Sequence, residues 1–248
     1  MGRDLTTPST RLTAAAQLAA AVLFDGEEGK DYTAIDVGCD HAKLAIYLVQ
    51  SGICKKVLAC DINEGPVQKA KDNISRRKIK DEPLTKYISV IQNDGLNSLE
   101  CFDCNRIFVL GMGGELIADI INKADFLRDN SKKIGYVFQA MTSENELRKY
   151  LANNGFNIVK EQLVEDKGRI YSLVLCVYDG VCRNFKEVEY IVGTYNIKNK
   201  QKLFDAYVDR KIRIQNKLVM QLEKAKKSNN DEKELLLQLL QLKNKMEV

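Results

Sequence analysis

The sequence predicts an α/β fold: a mostly parallel sheet covered by helices on both faces, followed by a pair of coiled helices. Three observations carry this. Short apolar runs alternate with helix-like ones from residue 33 to residue 153, the pattern of successive βαβ units. The run Thr33-Ala-Ile-Asp-Val37 stops at Gly38 and a polar turn, and an apolar helical segment, 42–49, follows at once. After residue 185 the pattern changes to three-and-four spacing of apolar residues over a charged background.

Taken in order, residues 12–24 (LTAAAQLAAAVLF) form an apolar run behind Arg11. Its length suits a secretory leader. Gln17 interrupts it, however, its alanines favour helix, and the first strand starts only nine residues later, so a helix beside the sheet is the better reading. Strand 33–37 and helix 42–49 come next, then a parallel strand, 56–60, that delivers Asp61 at its carboxyl end. Residues 64–78 read as a helix, with Asn63 as N-cap and Pro66 in the first turn. A third strand, 87–92, ends at Asn93-Asp94-Gly95, and a fourth, 106–110, at Gly111-Met112-Gly113-Gly114. Helix 115–123 and strand 134–138 follow. Ser143-Glu-Asn-Glu146 fits a capping box for a helix running to about Asn153. Residues 156–163 and 169–178 make a closing antiparallel pair.

In the tail, Tyr207, Val208, Ile212, Leu218, Leu222 and Ala225 mark one face of a helix over 199–227, about 40 Å long at the usual rise. Residues 228–231 turn the chain, and Leu235, Leu239, Leu242 and Met246 repeat the spacing on a second helix. The expected division is a sheet domain over 1–182 and a helical coiled-coil domain over 183–248.

Seven strands closing in a hairpin match the Rossmann-like sheet of class I methyltransferases, which use S-adenosyl-L-methionine (SAM), better than a dehydrogenase sheet. In such open sheets ligands bind at the carboxyl ends of the strands, where every polar or glycine cluster named above falls. A dinucleotide site would show GxGxxG; here Gly38 is the only glycine of its turn, which disfavours NAD and FAD. SAM has no pyrophosphate and needs less glycine. Gly38, with Cys39, lets the backbone approach the methionine part, and Asp36 holds that turn or the cofactor's amino group through water. Asp61, beside Ile62, suits the ribose hydroxyls. Asp94, flanked by Asn93 and Gly95, suits adenine, and Gly111 opens the fourth strand's end toward the same crevice. Singly, each acid serves equally well as a helix cap or turn former; at the ends of three adjacent strands they fit a cofactor together.

The Gly111–Gly114 run stands where many amino methyltransferases carry an Asn/Asp-Pro-Pro-aromatic motif. Its glycines offer backbone groups and room for a flat ring, or simply a tight turn. His41, the only histidine, is either a helix-start residue or, beside Asp40, a catalytic one.

Charge is unevenly placed. Residues 1–182 carry 23 Lys and Arg against 25 Asp and Glu, whereas residues 183–248 carry 15 against 9. A polyanionic partner for the tail, or a solvated helix face, accounts for that. Seven scattered cysteines suit a reducing, cytoplasmic compartment. Cys101 and Cys104 form a lone CxxC without the further ligands zinc needs, so no metal is expected. No segment is apolar enough to span a membrane.

Asp36-Val-Gly-Cys-Asp-His-Ala42, the Glu64-Gly-Pro66 helix start, Asp94-Gly95 and Gly111-Met-Gly-Gly114 together resemble the bacterial tRNA (adenine-N1)-methyltransferase family TrmK, which modifies adenine 22. The order and spacing match from about Arg11 to Val177, and the two-helix tail is a family feature. The chain departs from the family's usual residues at Cys39 (Ser), Lys43 (Tyr), Ala45 (Pro), Asp61 (often Glu), Ala140-Met141 (Pro-Asn) and Thr194 (Pro). The resemblance implies SAM-dependent methylation of a flipped adenine lying over Gly111–Gly114, with Met112, Gly113 and Gly114 at the base. It also implies Asp40, then His41, as the groups that steady the cationic ring. Gln139 is expected on the adenine edge and Arg11 on phosphate. Lys211, Arg213 and Lys217 are expected on the tRNA. The oligomeric state is open in the sequence, with a monomer favoured. The competing readings are a methyltransferase for another RNA site or a small molecule, and a catalytically silent RNA-binding module.

Overall fold

The structure, a computed structural model, describes residues 8–27, 31–129 and 131–246. In chain order the elements are α1 (Thr10–Ala19), β1 (Tyr32–Val37), α2 (Lys43–Gln50), β2 (Cys54–Asp61), α3 (Glu64–Ser75), β3 (Lys78–Ile79), β4 (Glu82–Pro83) and β5 (Ile88–Gln92). Then come β6 (Arg106–Gly113), α4 (Gly114–Asn122), β7 (Gly135–Thr142), α5 (Glu144–Asn153), β8 (Phe156–Asp166) and β9 (Arg169–Tyr178). The helices α6 (Glu187–Val192), α7 (Thr194–Asn199), α8 (Phe204–Lys224) and α9 (Asn230–Asn244) complete the chain.

Seven strands form one sheet in the order β5-β2-β1-β6-β7-β9-β8, and β3 and β4 form a separate small hairpin. The first five are parallel; β9 runs antiparallel to β7 and to β8. The chain winds outward from β1 through β2 to β5, then returns to place β6 on the other side of β1. That reversal opens a crevice between the carboxyl ends of β1 and β6. Both faces of these strands are buried, which is why their sequences read as nearly continuous apolar runs. Ala15, Leu18, Leu48 and Ala70 cover one face with α1, α2 and α3, while Ile117, Ile121, Leu147 and Leu151 cover the other with α4 and α5.

Residues 12–24 therefore begin in a packed helix: Ala14, Ala15, Ala16, Leu18 and Ala19 of α1 are buried against the sheet. The connection after it is locked by Arg106 at the start of β6. Arg106 is fully buried, donates to both carboxylate oxygens of Glu27 at 3.0 Å, and donates to the carbonyls of Ala19 and Ala21. Its guanidinium also stacks 3.8 Å over the Tyr32 ring.

Several boundaries differ from expectation. Strands β6 and β7 each run on through the segments read as turns, to Gly113 and Thr142, pairing with irregular register past Leu110. The expected capping box does not form: Ser143 is left-handed (φ 53°) and its side chain makes no cap hydrogen bond. Nor does the Asn63 side chain cap α3, which ends at Ser75. Two short helices precede the long tail helix. That helix, α8, has 21 residues, about 31 Å rather than 40 Å. Its buried stripe is Phe204, Tyr207, Val208, Gln215 and Val219, leaving Leu218 exposed. α9 packs antiparallel on it: Lys243 reaches Asp205 and Asp209, and Lys233 pairs with Glu223. Leu163 of β8 joins the apolar cluster of these helices, so the pair rests on the β8 edge of the sheet.

Candidate active site

Two cavities meet over Gly38, Leu110 and Gly111 at the crevice. The smaller, of about 350 Å³, includes Asp61, Ile62, Asp94, Gly95, Leu116 and Ile120 in its lining. Its polar groups are held by the loops that follow β2 and β5. Asp61 Oδ1 accepts the Asn63 backbone N–H at 3.0 Å, and Gln92 Nε2 ties down the Ile62 carbonyl at 2.9 Å. Asn93 Nδ2 donates to the carbonyls of Gly95 and Asn97, which fixes the loop carrying Asp94. Ile62 and Leu116 are large apolar side chains left more than half exposed at the cavity. Gly95 leaves space there: a Cβ at that position would lie 3.2 Å from Ile120. A flat ring between apolar walls, with a carboxylate for hydroxyls and another for an amine, is what this half can hold.

The larger cavity, about 660 Å³, is lined by the β1–α2 turn, by the start of α1 and by the β8–β9 turn. The β1–α2 turn is unusual in having Gly38, Asp40 and Ala42 all at positive φ (72°, 47° and 55°). Gly38 also lies close to Met112: a Cβ there would be 2.2 Å from Met112 Cε, the free end of a flexible side chain that would have to move. Cys39 is buried, and burial together with Asp36 and Asp61 pushes its thiol well above the ordinary range. Asp40 is exposed, and its Oδ1 lies 3.4 Å from His41 Nε2. The His41 backbone carbonyl accepts from Asn73, which anchors the turn to α3.

Asp36 lies beneath this turn, 3% exposed, with Oδ2 buried and without a hydrogen-bond partner. Burial raises its pKa to about 7, with Asp61 adding to the rise and the Ala45 backbone N–H opposing it. Asp36 is among the residues lining the larger cavity, so a cation or hydrogen-bond donor bound there, such as the ammonium of an amino acid, would give its carboxylate a partner. The native carboxyl keeps its proton to about pH 7, whereas an unfolded one loses it near 3.8. This group's contribution to stability therefore falls as pH rises from about 4 to about 7. Cation binding runs the other way, favouring the ionised form. SAM affinity is expected to weaken roughly tenfold between pH 8 and pH 6, and Asp36→Asn to bind weakly with a flat profile; titration calorimetry at both pH values checks this.

The structure redistributes the residues expected at the target. Arg11 does not reach outward to phosphate: it donates to Gln139 Oε1 and sits 5.5 Å over the Tyr171 ring, beside Gly111. Gln139 is fully buried, with Nε2 spent on the Ala140 carbonyl, so it braces Arg11 and presents no edge to a base. Met112 lines the smaller cavity, against Gly38. Gly113 and Gly114 line neither cavity; a Cβ on Gly114 would meet the Ser143 carbonyl oxygen at 2.1 Å, so that glycine serves close packing. Lys211 is turned inward, 2.7 Å from Glu144 Oε2, which also accepts from the Tyr207 hydroxyl. Burial pushes Glu144 up, but the Lys211 and Arg148 charges outweigh it and hold the carboxyl below its ordinary range. Arg213 and Lys217 remain exposed on α8. Sequence reasoning missed Asp166 and Lys167, which line the larger cavity from the tip of the β8–β9 hairpin. It noted Lys43 without giving it a role, and Lys43 lines the same cavity.

The strand order, the antiparallel strand inserted next to last and the glycine turn above two acidic strand ends define a class I methyltransferase sheet. The model of the family "TrmK: tRNA (adenine(22)-N(1))-methyltransferase" matches residues 34–246, and the chain belongs to that family. It is 27% identical over 176 residues to the tRNA (adenine(22)-N(1))-methyltransferase of Bacillus subtilis (strain 168), covering 68% of this chain and 70% of that one. It is also similar to a solved structure of Streptococcus pneumoniae Sp1610, a putative tRNA (m1A22) methyltransferase. The TM-score is 0.77 at 25% identity, over 96% of this chain and 99% of the other. The same streptococcal protein in complex with S-adenosyl-L-methionine gives a TM-score of 0.74 at 24% identity, over 94% and 100% of the two chains.

Proposed function

We infer that this chain is a SAM-dependent methyltransferase acting on N1 of adenine 22 in tRNA. The observation that carries it is the pair of cavities joined over Gly38 and Gly111, one suited to a nucleoside and the other open to solvent between α1 and the β8–β9 turn. When bound, SAM supplies an electrophilic methyl group. Asp61 would accept from its ribose hydroxyls, Asp94 from the adenine amine and Asp36 from the ammonium. Gly38 keeps the floor low enough for this, and Ile62 and Leu116 exclude water around the ring. Fixing both reactants in one crevice supplies most of the acceleration.

The larger cavity takes the extruded target base. We assign Asp40 as the carboxylate that faces the developing ring charge, with His41 at its side. Residues 1–182 hold cofactor and base, while residues 183–248 meet the tRNA through exposed cations such as Arg213 and Lys217. The enzyme works as a cytoplasmic monomer. Among the described residues no helix is long and apolar enough to cross a membrane, and no cluster could hold a metal ion.

The test is incubation of unmodified tRNA with SAM, followed by nucleoside mass spectrometry and mapping of reverse-transcription stops. The expected product is 1-methyladenosine at position 22. Methylation elsewhere would support a different RNA target, and salt-sensitive tRNA binding without any SAM binding would support a silent RNA-binding module.

A further inference from the structure

The larger cavity is lined by both carboxylates and cations. Asp36 and Asp40 line it near the β1–α2 turn, and Lys43 and Lys167 line it from two different elements. Both lysines are exposed. Neighbouring cations have internal partners: Arg11 on Gln139, Arg210 on the Ile170 carbonyl at 2.7 Å and Lys211 on Glu144. No ion pair among the described residues engages Lys43 or Lys167.

Each lysine stands on a fixed support. Lys43 is the first residue of α2, set by the Gly38–Ala42 turn. Lys167 and Gly168 form a two-residue turn, both at positive φ (51° and 72°), between strands paired as far as Asp166 and Arg169. The neck of that hairpin is gripped on two sides, by Arg210 of α8 at Ile170 and by Arg11 of α1 over Tyr171. Lys167 therefore sits on a braced arm over the cavity mouth.

A polynucleotide that inserts one base leaves its phosphates outside. The exposed carboxylate of Asp40 repels them, and the two lysines are where they can be neutralised. We propose that Lys43 and Lys167 form a two-sided clamp for the phosphates flanking the extruded nucleotide. This rests on the function inferred above. The half-buried Asp166 on the same tip suits hydroxyl or amine donors and takes no part in the phosphate contact. Arg213 and Lys217 on α8 grip the tRNA body, whereas the clamp acts at the reacting nucleotide.

The test uses the full chain and unmodified tRNA. Filter binding over a salt series and steady-state methylation are measured for Lys43→Gln, Lys167→Gln and the double variant, with Lys133→Gln at the opposite end of the sheet as baseline. Each single variant is expected to raise the tRNA KM about three- to tenfold, and the double variant to lower the slope of log affinity against log salt by about 2. Lys→Arg at either position restores the slope, and SAM binding does not move. A double variant with baseline slope and KM, in a chain that methylates adenine 22, overturns the clamp alone. A wild-type chain that makes no 1-methyladenosine overturns the function instead, and the salt slopes still decide the clamp.

Discussion

Arg148→Ala is expected to cost the folded protein about 3–5 kcal/mol, the scale for breaking a buried ion pair from one side. Arg148 is 4% exposed and lies on α5 where the sheet meets the C-terminal helices. Its Nε donates to Glu161 Oε1 at 2.8 Å, its Nη2 to Ser172 Oγ at 2.9 Å, and its Nη1 to the carbonyls of Tyr190 and Ile191. One guanidinium thus joins α5, β8, β9 and α6. Glu161 is buried as well, its Oε2 has no hydrogen-bond partner, and it lies over Gly193, where an added Cβ would be 2.0 Å away. Removing the arginine strands that carboxylate in the interior with only Ser172 and no cation. Thermal melting is expected to show a loss on the order of 10 °C for a chain of this length. Replacing both partners at once, Arg148→Met with Glu161→Gln, removes the stranded charge and is expected to recover a good part of the loss. If the double variant melts no higher than Arg148→Ala, the guanidinium's bonds to Ser172, Tyr190 and Ile191, rather than the unpaired charge, carry the cost.

That junction was invisible in the sequence, and the reason is physical. Periodicity reports which faces are buried, so strands β1, β2 and β5 and their helices were legible to within a residue or three. Glycine turns report backbone constraints, so Gly38 and Gly95 were legible as positions of left-handed backbone and close side-chain approach. A buried charge has no local signature: Arg106, Arg148 and Lys211 read like surface residues, and only partners 67 to 79 residues away, in the cases of Lys211 and Arg106, explain their burial. Lys211 shows the consequence, since a basic helix position was assigned to RNA although Glu144 and the Tyr207 ring enclose it. Gly113 and Gly114 show the converse. Glycine marks close approach without saying what approaches: at Gly114 it is the Ser143 backbone and at Gly113 the Thr142 side chain.

Asp40→Ala is expected to lower kcat about 10²- to 10⁴-fold, the range for removing a positioned acid–base group, while SAM binding stays within about twofold. The expectation rests on the contrast between two carboxylates of one cavity. Asp36 is 3% exposed, with one carboxylate oxygen buried and unpartnered, where a fixed ammonium would satisfy it. The Asp40 side chain is 68% exposed, beside His41 Nε2, and so is open to the incoming base. Methylation leaves the adenine ring cationic, and a carboxylate at the exocyclic amine either offsets that charge or takes up the amine proton. The alternative is that Asp40 merely tolerates the left-handed turn at φ 47°. Asp40→Asn separates the two, because asparagine adopts that conformation as readily and cannot carry the charge. Activity of Asp40→Asn near wild type would remove Asp40 from the chemistry. Equal loss of turnover and SAM affinity in Asp40→Ala would make it a residue of the cofactor turn. His41→Gln is expected to cost less, because His41 acts through Asp40 and its backbone carbonyl still anchors the turn to Asn73.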